Sequence, residues 1–162
     1  MSAPAPAGDE LAAAYAGEYD GTVVTMSGPF TDADAVKFDA SVVAFEEATG
    51  IDIQYEGSKE FEASITIRVD GGDAPDIVDF PQPGLLGTMV AKGQVVDLNT
   101  VIDTDWLAEN YGPAWLEMGT MNGPDGDMMA GVWGRVNGKS LVFYPKAEFD
   151  AAGYEVPETW DE

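Results

Sequence analysis

A chain of 162 residues with 45% hydrophobic content is long enough to enclose one sizeable core and is not disordered as a whole. Thirty acidic residues against seven basic ones give a net charge of −23, which repels phosphate backbones and anionic lipid, argues against nucleic-acid binding, and suits a saline or extracellular setting. With neither Cys nor His, the chain has no disulfides, no zinc sites of the usual kinds, and no Ser-His or Cys-His catalytic arrangement.

The opening, Met1-Ser2-Ala3-Pro4-Ala5-Pro6-Ala7-Gly8, has neither the basic nor the apolar region of a signal peptide. Ala/Pro-rich sequence stays extended, and we read it as the tether of a mature protein behind an added start Met. A short Ala-rich helix follows, Leu11 to Ala16. No apolar run approaches the about 20 residues of a membrane span. Residues 22–26, Thr-Val-Val-Thr-Met, form a β-type run that Ser27-Gly28-Pro29 ends. A helix pattern begins with Asp32 and Asp34 in its first turn, carries Val36, Val42, Val43 and Phe45 on one face, and stops at Gly50. Ile51, Ile53 and Tyr55 alternate as a strand. Ser58 is placed to cap a helix carrying Phe61, Ile65 and Val69, which Gly71-Gly72 ends. A third short strand, residues 77–80, runs into Pro81-Gln82-Pro83-Gly84, and a helix spans Leu85 to Lys92 before Gly93.

Strand–helix repeated three times predicts an α/β fold with a parallel sheet and right-handed crossovers. Ligands of such sheets bind outside the C-terminal strand ends, which selects loops 27–32, 56–58 and 79–83. Beyond them, residues 97–118 read as irregular to helical, with Trp106, Tyr111 and Trp115. Strands are expected at 128–133 and 140–144, joined by a connector at 134–138, then a short helix that Gly153 stops. Thr159 and Glu162 form a capping box with no helix behind it, so a longer natural chain is expected.

Five segments carry a resemblance. Phe45-Glu46-Glu47-Ala48-Thr49-Gly50-Ile51 and Gly71-Gly72-Asp73-Ala74-Pro75-Asp76-Ile77 are similar to two signatures of type 1 extracellular solute-binding proteins of ABC importers. Pro81-Gln82-Pro83-Gly84-Leu85-Leu86 resembles the α-glucoside branch of that family. Residues 139–146 look like its strand entering the second lobe, and residues 151–162 like the segment after it. Five in order are far more specific than any one.

The resemblance implies two α/β lobes that close on a sugar and deliver it to a membrane permease. On that frame, 1–20 are tether and short helix. Residues 21–134 are the N-terminal lobe, and 135–162 are the hinge and the incomplete start of the second lobe. It further implies an extracellular or periplasmic protein, held to the membrane by a lipidated N-terminus, with no catalysis, cofactor or metal. Its ligand would be an α-glucoside or oligosaccharide.

A sugar site needs carboxylates and amides for hydroxyls and an aromatic face for the ring. The expected contacts are Ser27 and Phe30 after the first strand, Glu56 and Ser58 after the second, and Asp79, Phe80 and Gln82 after the third. Asp32 either joins them or only stabilises a helix start. Ser58 doubles as a helix cap, and Phe80 as a core residue. At the hinge, Arg135, Asn137 and Lys139 are candidates, Asn137 by resemblance. Trp115, Tyr111 and Trp133 are either stacking platforms or core. Asp32-Ala33-Asp34 and residues 123–127 lack the remaining ligands of an EF-hand and read as solvated acidic turns. Two other functions stay open. One is a glycoside hydrolase, needing two carboxyls about 5 to 9.5 Å apart in one cleft. The other is a fragment that associates with its missing C-terminal part.

Overall fold

The computed structural model describes residues 7–135, 142–157 and 159. They fall into two compact units, Met1–Val132 and Trp133–Glu162. The first opens with helix α1 (Ala7–Tyr15), strand β1 (Val23–Gly28), helix α2 (Ala33–Thr49) and strand β2 (Asp52–Gly57). Helix α3 (Phe61–Asp70), strand β3 (Ile77–Val78) and helix α4 (Pro83–Ala91) complete the repeat. The sheet is parallel, in the order β2-β1-β3. Val23 pairs with Asp52 and Gly28 with Gly57; Ser27 pairs with Val78.

Local chemistry fixes these boundaries. Gly50 takes the left-handed conformation that ends α2, at φ 71°, and its N–H bonds Glu46 O at 2.8 Å. Pro83 opens α4, where the missing N–H is an orphan in any case. Two carboxylates fasten the strands. Glu46 Oε1 accepts the Ile53 N–H at 2.9 Å, satisfying a donor of edge strand β2. Asp76 Oδ2 accepts from the Thr25 N–H at 2.9 Å and the Thr25 hydroxyl at 2.6 Å, while Asp76 N–H donates back to that hydroxyl at 3.0 Å. That exchange bolts the start of β3 to the middle of β1. Phe61, Ile65 and Met89 form the core cluster, with Val69, Val78, Phe80, Leu85 and Val95 against it.

Several expectations need correction. Val36 is 67% exposed and Val43 is also exposed, so only Val42 and Phe45 of the expected face turn inward. Strand β3 has two residues, not four: after Asp79 N–H bonds Ser27 O at 2.8 Å, the chain turns away. Residues 97–118 resolve into a 3-10 turn (Leu98–Thr100), helix α5 (Thr104–Asn110) and helix α6 (Pro113–Gly119). Asp103 caps α5 through the N–H groups of Asp105 and Trp106. The strand expected at 128–133 lies earlier, at β5 (Gly126–Met129), and forms an antiparallel hairpin with the unforeseen β4 (Thr120–Gly123). Asp97 Oδ1 ties the hairpin down, accepting from Asn99 N at 3.0 Å and Met129 N at 3.1 Å.

In the second unit, helix α7 (Lys146–Ala152) ends at Gly153, at φ 72°. The strand expected at 140–144 is not formed over 142–144, where Phe143 is 89% exposed; residues 140 and 141 lie outside the described residues, as does Glu162 of the capping box. Among the described residues, no helix is long and apolar enough to cross a membrane.

Candidate functional site

Parallel, in-register pairing brings the ends of the three strands to one edge. There the loops touch. Ser58 N–H donates to Gly28 O at 3.0 Å, and a side chain at Gly57 would collide with the Phe30 carbonyl. A Cβ at Gly28 would lie 2.6 Å from Tyr55 Oη and 2.9 Å from Asp79 Cβ, so only glycine fits. Tyr55 Oη accepts the Phe30 N–H at 2.9 Å. The Tyr55 ring stacks on Phe30 at 5.8 Å between centroids and meets Phe38 at 4.5 Å. Burial pushes the Tyr55 phenol above its ordinary value; the Phe30 N–H draws it back, and the charge of Asp79 adds to the rise.

Between the loops lies an open depression of about 280 Å³. Pro29 lines it from the loop after β1, Lys59 to Ala63 from the start of α3, and Pro81 from the loop after β3. Phe61 borders it, but at 2% exposure its ring fills the core. Lys59 Nζ reaches Asp32 Oδ2 at 3.0 Å, linking the first loop to the second. That hydrogen bond and charge, with a further bond from the Thr31 hydroxyl, hold Asp32 below the usual carboxylate range. Asp32 makes no capping hydrogen bond to α2, so its side chain does not serve the helix start in that way.

The sequence candidates divide. Ser27 is buried, at 5% exposure. Phe30 and Asp79 are half-buried, and Asp79 Oδ2 is shielded from solvent. Glu56 is engaged by Arg68 at 2.9 Å, and Arg68 also holds Asp73 at 3.1 Å. Ser58 Oγ accepts the Glu60 N–H at 3.1 Å, shaping the turn into α3, whose N-cap position is Glu60. Phe80 packs edge-on to Phe61 at 6.0 Å, on the core side of its two readings. Gln82 is exposed at the start of α4, with Nε2 3.5 Å from Glu62 Oε2. Those seven lie around one sheet edge. Tyr111 is half-buried and edge-on to Trp106 at 6.3 Å, and Trp115 lies on α6. Arg135 is exposed and Trp133 half-buried in the second unit. Asn137 and Lys139 lie outside the described residues.

Lys59, Tyr55 and Phe61 were not singled out for the site. The available signal was Lys59's rarity, one of seven basic residues and next to a candidate loop. Among the described residues, no three carboxylates converge as a cation cage.

Residues 12–162 match the family of bacterial extracellular solute-binding proteins. Relatives include the osmoprotective compounds-binding protein GgtB of Synechocystis, 40% identical over 146 residues, covering 90% of this chain and 34% of that protein. The alpha-glucosides-binding periplasmic protein AglE of Rhizobium meliloti is 37% identical over 145 residues, covering 88% of this chain and 31% of that protein. The chain thus spans about a third of the length of these relatives.

Proposed function

The chain belongs to the bacterial extracellular solute-binding protein family, and from that premise we propose that it is part of the capture component of an ABC importer for a carbohydrate, an α-glucoside or oligosaccharide. The observation that carries this reading is the convergence of three strand-end loops on one depression. Its walls mix the hydrogen-bonding groups of Lys59, Glu60 and Glu62 with the apolar rings of Pro29 and Pro81, a pairing that suits the hydroxyls and the C–H face of a sugar. One of the two relatives is named for binding alpha-glucosides, the other for osmoprotective compounds. In this reading Asp79 and Gln82 supply hydroxyl contacts from the third loop. Ser27, Phe30, Glu56, Ser58 and Phe80 shape or line the same edge; Arg135, Asn137 and Lys139 stay candidates from the hinge that the resemblance implies. The protein acts outside the cytoplasm, tethered by a lipidated N-terminus, and passes its solute to a membrane permease. A glycosidase acid needs a raised carboxyl, the opposite of the shift at Asp32, the carboxyl that meets Lys59 at the depression.

The test is calorimetric titration of a protein of the relatives' full length with maltose, trehalose, sucrose and longer α-glucans. Silence across the panel overturns the proposal. The present chain should bind at least about tenfold more weakly, because closure adds contacts; equal affinity refutes that part. A second reading, association with a complementary C-terminal segment, is favoured by the exposure of Ile67 (74%) and Val96 (62%). Size-exclusion chromatography of the mixed segments tests it, and separate elution rejects it.

A further inference from the structure

We infer that Asp32 and Lys59 form a polar clasp at the cleft mouth whose two halves accept from and donate to one hydroxyl of the bound solute. This rests on the reading of the cleft as the ligand site.

Three observations carry it. First, Asp32 has φ 54° and ψ −124°, and it alone among the described non-glycine residues has a positive φ. That region suits glycine and strains a residue with a Cβ, and such strain concentrates where a ligand is held. Second, the Asp32 carboxylate has no part in starting α2, although its backbone carbonyl accepts the Val36 N–H at 3.3 Å. The carboxylate does not cap α2; Oδ2 takes the Thr31 hydroxyl at 3.2 Å and Lys59 Nζ at 3.0 Å. Both partners of the ion pair are about three-quarters exposed, and exposed pairs add little to stability. Third, the pair joins the loop after β1 to the loop after β2, and Lys59 lines the depression.

The chemistry follows from the pairing. A hydroxyl both donates and accepts, so it can enter between carboxylate and ammonium and satisfy each. A cation would be drawn to Asp32 but repelled by Lys59, and an anion the reverse. The clasp therefore favours neutral, hydroxyl-bearing solutes despite the −23 charge of the chain.

The experiment titrates the 162-residue chain and its variants D32G and K59M with maltose, trehalose and sucrose, following backbone amide shifts by NMR, with melting curves alongside. Loss of one charge-assisted hydrogen bond should weaken binding about tenfold in each variant. The double variant should be little worse than either single one, because one hydroxyl uses both groups. D32G should melt no lower than the parent, since glycine relieves the strained φ. If D32G or K59M binds like the parent, the clasp is wrong while the sugar reading stands. If D32G is unfolded, Asp32 serves the fold and the inference fails. If the parent binds none of the three sugars, the clasp falls, while the sugar reading is decided by the titration of the full-length protein.

Discussion

Gly28→Ala is the sharpest probe of how the site edge is built. An alanine Cβ would lie 2.6 Å from Tyr55 Oη, where ordinary contact begins at 3.4 Å, so the phenol must move by about 0.8 Å. That movement breaks the 2.9 Å bond from the Phe30 N–H and disturbs the Phe30 stack. Overpacking of this kind costs about 1–3 kcal/mol, and the lost hydrogen bond about 1 kcal/mol more. The total, about 2–4 kcal/mol, lowers the melting temperature by at least about 4 °C in a chain of this size. Thermal unfolding followed by circular dichroism reads it. The decisive control is Tyr55→Phe, which removes the oxygen that clashes. Gly28→Ala with Tyr55→Phe should be less destabilised than the sum of the singles, by about 0.5–3 kcal/mol. Strict additivity would refute the argument, because the damage would then come from elsewhere.

Other expectations are quickly checked. Ile65→Ala, at a position 1% exposed beside Phe61 and Met89, should cost about 2–5 kcal/mol in urea unfolding. The Thr25 hydroxyl bond holds the Asp76 carboxyl below its ordinary range. A depressed carboxyl gives stability that is complete above the unfolded value, about 3.9, and is lost as pH falls through the folded value. Thr25→Val should therefore flatten the acid limb of urea midpoints plotted against pH, though not abolish it, because Asp32 and Asp70 are lowered too. Tyr55 has the opposite sign. Its raised phenol stabilises the folded chain below the unfolded value, about 10, and that contribution fades as pH climbs through the folded one. Tyr55→Phe should remove this alkaline loss, and an unchanged alkaline limb would show that burial of the phenol is not its source.

Much of the fold was legible because it is written in local signals. Gly50, Gly93 and Gly153 stop their helices in the left-handed region, each readable as punctuation. The three strand–helix repeats and the loops they aim at one edge followed from order alone. What escaped was chemistry between distant positions. Asp76 and Thr25 are separated by 51 residues, and nothing near either announces the bond. Asp32 looks in sequence like an acidic first-turn residue, and only its φ and its reach to Lys59 show otherwise. The β4–β5 hairpin lacks the β-branched alternation of ordinary strands, with Met121, Asn122, Asp127 and Met128 facing each other, so only its turn was visible. The same absence of a local signal hid the aromatic trio of Phe30, Phe38 and Tyr55.

On the proposed reading of the depression, family membership and ligand choice reside in different residues. Glu46, Gly50 and Asp76, which stand in the segments that resemble the family, are occupied with fastening β2 and β3 or ending α2. Changing them loosens the strands before it alters any contact with a solute. Lys59 stands outside every such segment and in the depression, while Gln82, inside the α-glucoside-like one, is exposed at the start of α4. Neither side chain has a partner the core depends on, and both can change without moving a strand. A chain of this architecture can therefore keep its signatures and change its solute. The two relatives, 40% and 37% identical to this chain, are named for different solutes. Exchanging positions 32, 59 and 82 therefore tests the proposed solute more directly than comparing the segments that define the family.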